Sequence, residues 1–408
     1  MSTLSEQTKQ IVKETAPVLA EHGETITTHF YKRMFEQHPE LLNIFNQTNQ
    51  KQGKQPRALA NTVYAAAVHI DNLEAILPAV KQIAHKHRSL NIKPEHYPIV
   101  GENLLAAIKE VLHEAPHIDE VVEAWGEAYG VIADVFIQVE KEMYHEAELA
   151  PGGWEGFREF TIEKKERESD VITSFYLKPV DGGKIASFKP GQYISIQAHV
   201  EGSEYTHMRQ YSLSDAPNEN YYRISVKKEE GLPDHAPGVV SNDLHDHKNE
   251  GDTILITAPA GDFVLNEETD RPVVFISGGV GITPLMSMFN TLIRTESKRE
   301  ISFIHAARSG DYHAMDEHVA GISNAQENVN YAVCYDSPTP TDLKKAHLKK
   351  KGHIDEGFLN SMIKNKEADY YFCGPTLFMK EVFKILKGWD VSDDHIHFEF
   401  FGPKGNIE

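Results

Sequence analysis

The sequence predicts three successive modules: an all-α domain, an antiparallel β-barrel and an α/β domain built on a parallel sheet. Three observations carry this. From Leu4 to about Tyr144 apolar residues recur at helical spacing with almost no period-two alternation. After Gly156 come short β-rich runs punctuated by Gly, Pro and Asp, as in a barrel or sandwich. From Arg271 onward buried-type strands alternate with helical stretches, the pattern of a parallel sheet with crossover helices. "APGGWEG" (150–156) places Pro and two Gly where no helix can continue. We therefore expect residues 1–147 to be helical, 148–153 a linker, 154–266 the barrel and 267–408 the α/β domain.

Each element has its own signal. Ile26, Phe30 and Met34 form one helical stripe, Leu59, Val63, Ala67 and Ile70 a second, and Trp125, Tyr129, Ile132 and Phe136 a third. The length allows roughly six to eight helices. "DVITSFYLKPV", "GQYISIQAHV", "YYRISVKKEE" and "DTILITAPAG" read as barrel strands. "PVVFIS" then leads into a helix from Pro284, and "EISFIHAAR", "NYAVCYD" and "ADYYFCG" supply further parallel strands.

Composition removes several function classes. A formal charge of −20 disfavours nucleic acid and anionic membranes, because phosphate binding rests on Lys and Arg. Two cysteines, Cys334 and Cys373, cannot build a disulfide framework or a Cys-based metal site. The opening "MSTLSEQTKQ" lacks the basic and apolar regions of a signal peptide, and no run of eighteen apolar residues occurs. A cytoplasmic protein, a monomer without integral membrane association, is expected.

The stretch "IAHKHRSLNIKPEHY" holds three histidines. Counted from Val80 at 100° per residue, His87 falls roughly 20° from the apolar stripe and His85 roughly 140° away. His87 thus faces the core and His85 solvent, while His96, after Pro94, reads as a surface residue. Taken alone, His87 fits a core histidine satisfied by a backbone carbonyl. Its surroundings are those of a haem pocket: Tyr31 beside Phe30, Phe45 in "HPELLNIFN", and Gln55 just before Leu59. Glu140 lies about 40° from Phe136 on the same helix. Unpaired there, its carboxylate would cost several kcal/mol, so it needs a partner unless it is a solvated glutamate near a helix end.

"HFYKRMFEQHPELLNIFN", "AHKHRSLNIKPEHYPIVGENLL" and "AWGEAYGVIADVFI" resemble the globin domain of flavohaemoglobins. The resemblance implies haem b, with His87 as proximal iron ligand and Tyr31 and Gln55 as distal donors. It further implies that Leu59 shapes the distal cavity, that Phe45 packs on the porphyrin, and that Glu140 and Tyr97 bond to the far nitrogen of His87. Lys86 is either a surface charge or, as in the family, a residue between haem and flavin. The distal pocket could also admit a lipid.

"KPGQYISI", "MRQYSLS" and "GVVSNDLHD" together resemble the flavin-binding barrel of the ferredoxin–NADP reductase superfamily. That resemblance gives FAD as cofactor. Arg209 would pair with its pyrophosphate, Tyr211 would stack on the isoalloxazine, Ser212 would bond near its reactive nitrogen, and Gln192, Tyr193, Gln210 and Ser241 would line the site. "FISGGVGITPLM" adds a glycine-rich turn between strand and helix, in which Gly279, Val280, Gly281, Ile282, Thr283 and Pro284 suit a pyrophosphate at a helix N-terminus. "YYFCGP" and "HFEFFGP" follow in the superfamily's order, so that Cys373, Gly374 and Glu399 would flank the nicotinamide and flavin, and Phe400, Phe401, Gly402 and Pro403 the ring. Cys373 equally fits a buried structural thiol. Asp243 stands where an aromatic often follows Ser-Asn in the family, and Arg308 is a candidate for a 2′-phosphate contact.

The likeness runs from Leu4 to Pro403 and implies a nitric oxide dioxygenase. Such an enzyme converts NO and O2 to nitrate with electrons passed from NAD(P)H through FAD to haem. Reduction of alkyl hydroperoxides or of O2 by the same path is one alternative, and a haem-based gas sensor another.

Overall fold

A computed structural model describes residues 4–46, 50, 53–231, 236–402 and 407. The helical region runs through α1 (Glu6–Glu14), α2 (Ala16–Gln37), α3 (Lys54–Val68), α4 (Leu77–Ser89), α5 (His96–Val111) and α6 (Ile118–Leu149). Ser5 caps α1 by accepting the Thr8 N–H at 3.0 Å. The expected stripes point inward: Ile26, Phe30 and Met34 are buried, as are Ala67, Ile70, Trp125 and Phe136. Each fully buried side chain of this size contributes about 1.5–3 kcal/mol. Two hydrophobic clusters result, one around Phe30, Tyr31, Leu104 and Trp125, the other around Val80, Tyr97, Ala133 and Phe136. Gly101 lets α5 approach α6 closely, since a Cβ there would sit 2.6 Å from the Tyr129 ring.

The barrel strands are β1 (Phe157–Arg167), β2 (Ile172–Pro179), β3 (Tyr193–Ala198), β4 (His207–Ser212), β5 (Tyr222–Lys227) and β6 (Thr253–Thr257), with α7 (Val239–Asp246) between the last two. They form one sheet in the order β4-β3-β6-β1-β2-β5. Its two edge segments meet where Leu213 bridges Ile224 antiparallel, which curls the sheet toward closure.

The last region contains β7 (Val273–Gly278), α8 (Ile282–Arg294), β8 (Ile301–Ala307), α9 (Asp316–Ala325), β9 (Val329–Tyr335), β10 (Leu348–Lys351), α10 (Glu356–Met362), β11 (Asp369–Cys373), α11 (Thr376–Gly388) and β12 (Ile396–Glu399). Its strands lie parallel in the order β10-β9-β8-β7-β11-β12. Apolar cores cover both faces, as a parallel sheet requires. Helix α8 starts at Ile282, two residues before the expected Pro284, which sits in the first turn where its missing N–H costs nothing. No helix among the described residues is long and apolar enough to cross a membrane.

Candidate functional site

His87 occupies the last turn of α4. The helix ends there because Asn91 adopts a left-handed conformation (φ 58°) and Ile92 N–H folds back to the His87 carbonyl at 3.0 Å. Tyr144 on α6 donates its hydroxyl to the Ile92 carbonyl at 2.7 Å and pins this turn. The imidazole Nδ1 lies 2.7 Å from Glu140 Oε1 and 3.2 Å from the Tyr97 hydroxyl, which itself donates to the same Glu140 oxygen at 2.6 Å. Glu140 is 3 % exposed. The partner its burial demanded is therefore present twice over. An ionised carboxylate only accepts, so Nδ1 donates and the lone pair falls on Nε2, the nitrogen left to bind a metal. Burial, and then Glu140, push the Tyr97 hydroxyl far above the ordinary phenol range, so it stays a donor. Tyr129 holds α5 in place by donating to the Tyr97 carbonyl at 2.6 Å.

Tyr31 lies in the other helical cluster, with Phe30, Phe35 and Phe45 ring centroids 4.7, 5.9 and 5.7 Å away. Burial raises its pKa strongly, against hydrogen bonds from Gln55 and Gln50 that pull it down. Gln50 was not singled out from sequence, because no apolar periodicity in "NQTNQKQGKQ" marks it. Its side-chain nitrogen is buried, a second donor beside Tyr31. Leu59 and Phe45 are half-buried against the same cluster. Donors in one apolar cluster and a carboxylate-backed imidazole beside the other suit a haem.

Two histidine expectations need correction. His85 and His96, expected on the exposed face, are each half-buried rather than fully exposed. His96 accepts the Lys93 N–H at 3.1 Å and so staples the turn before α5. Lys86 is half-buried.

On β4, Arg209 and Tyr211 are half-buried and Ser212 is buried, in keeping with the pleat. Gln210 donates to Ser195 Oγ at 3.0 Å. The Gln192 oxygen accepts the Lys189 N–H at 2.9 Å and its nitrogen donates to the Gly261 carbonyl at 3.0 Å, so the amide braces this turn of the barrel. Tyr193 is buried against Gly261, where a Cβ would lie 2.9 Å from its ring. In the first turn of α7, Ser241 Oγ accepts from Glu229 N–H at 3.3 Å. Asp243, two residues on, buries a carboxylate oxygen with no partner among the described residues. An orphaned acceptor there fits a hydroxyl-bearing ligand such as a flavin nucleotide.

The glycine turn packs onto the Cys373 turn. A Cβ at Gly281 would lie 2.2 Å from the Cys373 carbonyl, and one at Gly374 2.7 Å from the Phe378 ring. Gly279 needs its positive φ of 53°. Val280 is half-buried, and Ile282, Thr283 and Pro284 are buried, with Thr283 Oγ1 donating to the Val280 carbonyl at 3.1 Å. Cys373 is wholly buried, and burial followed by the charge of Glu399 pushes its thiol well up, so it is no nucleophile. Its backbone pairs with half-buried Glu399 across β11 and β12. Phe400 is half-buried and Phe401 and Gly402 exposed. Pro403 lies outside the described residues. Arg308, just beyond β8, is exposed, with its guanidinium 5.2 Å from the Tyr312 ring centroid.

These features define a haem-binding globin joined to a flavin- and nicotinamide-dependent reductase. Family models agree region by region: Globin over residues 28–136, the oxidoreductase FAD-binding domain over 159–265 and the oxidoreductase NAD-binding domain over 275–384. The chain is 67% identical over its full length to the Flavohemoprotein of Halalkalibacterium halodurans, covering 98% of that protein. It is 52% identical to that of Bacillus subtilis, covering 98% of both chains. The chain belongs to the flavohemoprotein family. Among solved structures, a flavohemoglobin from Malassezia yamatoensis with bound FAD and heme matches 98% of this chain and 100% of its own, with TM-score 0.82 and 26% identity. The FAD/NAD-binding domain of nitric oxide dioxygenase from Vibrio cholerae matches 60% of this chain and 99% of its own, with TM-score 0.55 and 38% identity.

Proposed function

We propose that the chain is a nitric oxide dioxygenase converting NO and O2 to nitrate at the expense of NAD(P)H. The observation that carries the reading is the Glu140–His87–Tyr97 network, with its carboxylate 2.7 Å behind the imidazole. Haem, when bound, supplies the gas-binding iron, and FAD converts the two-electron hydride into the single electrons that haem accepts. The protein's own residues do the rest. His87 would ligate through Nε2, and Glu140, by accepting the Nδ1 proton, raises the basicity of that nitrogen and favours activation of oxygen over storage. Tyr31, Gln55 and Gln50 hold fixed donors toward negative charge developing on the gas, while Leu59 and Phe45 keep water out. Arg209 would take the FAD pyrophosphate, Tyr211 and Ser212 the isoalloxazine, and Ser241 the flavin phosphates. The turn from Gly279 to Pro284 would cradle the dinucleotide, with Cys373, Gly374, Glu399 and Phe400 at the nicotinamide end.

The Vibrio cholerae match, named as a nitric oxide dioxygenase, supports this choice among haem and flavin chemistries. Each conversion, NO + O2 + e− → NO3−, consumes one electron, so about two nitrates should form per NAD(P)H oxidised. Nitrate and NADH measured together in the presence of NO test this. Rapid NADH loss with little nitrate would favour peroxide or oxygen reduction instead.

A further inference from the structure

Asp215 lies three positions beyond Ser212, where the chain leaves β4, and is 4 % exposed. Its carboxylate is saturated with donors. Tyr221 donates its hydroxyl at 2.7 Å, Asn290 its side-chain nitrogen at 2.8 Å, the Ala216 N–H reaches it at 2.8 Å, and one Arg294 nitrogen reaches both oxygens at 3.0 Å. The Asp215 carbonyl accepts from Ser287 Oγ at 2.8 Å. Ser287, Asn290 and Arg294 lie on one face of α8, spaced by three and four residues. Asn290 also accepts from His318 Nε2 of α9 at 2.8 Å, so both ends of its amide are fixed. On the barrel side Arg223 holds the preceding residue through the Ser214 hydroxyl at 3.2 Å and through the Ser214 carbonyl.

The strand carrying Arg209, Tyr211 and Ser212 is thereby tied through one residue to the helix that begins at the glycine turn. Apolar packing could fasten two domains without the several kcal/mol that desolvating a carboxylate costs. Packing is non-directional, however, and tolerates sliding. Five hydrogen bonds on one carboxylate do not, because each weakens steeply with angle.

We propose that Asp215 is a positioning residue for hydride transfer, holding α8 in register with the flavin strand so that the nicotinamide meets the flavin at reacting distance. The inference rests on the reading of the reductase half as an FAD- and NAD(P)H-binding unit and is independent of the gas chemistry. In the step concerned, a hydride leaves the dihydronicotinamide carbon with its electron pair, giving NAD(P)+, and the flavin accepts it and is reduced.

The test is anaerobic stopped-flow of the holoenzyme, following the flavin band across a range of NADH concentrations. Asp215→Asn keeps the volume but presents an NH2 to donors. Its limiting reduction rate should fall about 10- to 100-fold, the cost of a misplacement on the order of 1 Å, with FAD content and NADH dissociation constant nearly unchanged. Asn290→Ala cuts the tether from the α8 side while leaving Arg294 on the carboxylate, and carries the test if the first variant does not fold. A limiting rate equal to the parent's in a folded variant, with only melting temperature, FAD content or NADH affinity reduced, overturns the proposal. A parent protein whose flavin NADH does not reduce would instead overturn the reductase reading itself.

Discussion

His87 and the pair His305 and His313 are all held through Nδ1, yet their settings assign them opposite uses. His87 has a carboxylate oxygen at 2.7 Å and keeps its side chain 31% exposed. His305 Nδ1 meets the Ser277 hydroxyl at 2.7 Å, and His313 meets the Tyr335 hydroxyl at 2.7 Å through Nδ1 and the Tyr331 hydroxyl at 3.2 Å through Nε2, with the nearest carboxylate oxygen, on Asp316, 3.8 Å from Nδ1. These two imidazoles stack with centroids 3.9 Å apart and are 0% and 3% exposed. Burial first of all holds both far below the ordinary imidazole range, so they stay neutral at the carboxyl edge of β7, β8 and β9. A hydroxyl-backed, sealed imidazole is part of the architecture. A carboxylate-backed one with a second nitrogen open is prepared to ligate. His305 Nε2 also lacks a partner among the described residues, so neither burial nor a spare nitrogen picks out a site; the close carboxylate behind a partly exposed ring does.

The sharpest way to break this comparison is His87→Ala. It removes the open nitrogen and should abolish the Soret signature of histidine-ligated haem in the purified protein, while His85→Ala, two residues away, should leave it intact. Reversed outcomes would mean that the helix presents its other face to the iron.

A smaller effect is expected from Glu140→Gln, which keeps the shape of the network and removes its charge. The imidazole loses electron density, so the haem midpoint potential should rise and nitrate turnover fall about 10- to 100-fold, with haem still bound. An unchanged potential would reduce Glu140 to a packing residue.

The helical half was the more legible because phase along a helix is readable from sequence. His87 and Glu140 lie 53 residues apart, yet each could be placed on an inward face from its own neighbours. The reductase half offers no such ruler at the ends of its strands. Asp215 meets Arg294 across 79 residues and His313 meets Tyr335 across 22, in turns without periodicity, so neither polar knot could be read beforehand. Two strands were also missed because charge hides them. In β1 only Phe160 and Ile162 are buried, and its charges find partners nearby, Lys164 with Glu166 at 2.9 Å and Glu163 with Lys178 on the neighbouring β2. The β10 run "LKKK" forms a sheet edge, where lysines guard against further pairing.

The smallest effect sharpens the comparison from the sealed side. His305 and His313 face Ser277 on β7, Tyr331 and Tyr335 on β9, Asp316 at the start of α9, and Lys345 and His347, which both contact Asp316. Asp316 favours protonation of His305, but Lys345 and His347 oppose it at His313, and desolvation outweighs all of them. Both folded pKa values are lowered. Stability from these rings is thus fully present above the unfolded value of about 6.5 and is lost as pH falls below it, by about 1.4 kcal/mol per pH unit for each ring. Each ring should then lower the unfolding midpoint of a unit of this size by roughly 3–6 °C for each pH unit below 6.5, the two together by about twice that. The double variant His305→Phe, His313→Phe should flatten that slope whatever it does to the midpoint at neutral pH. An unaltered slope would place the acid sensitivity in other groups and remove the contrast with His87.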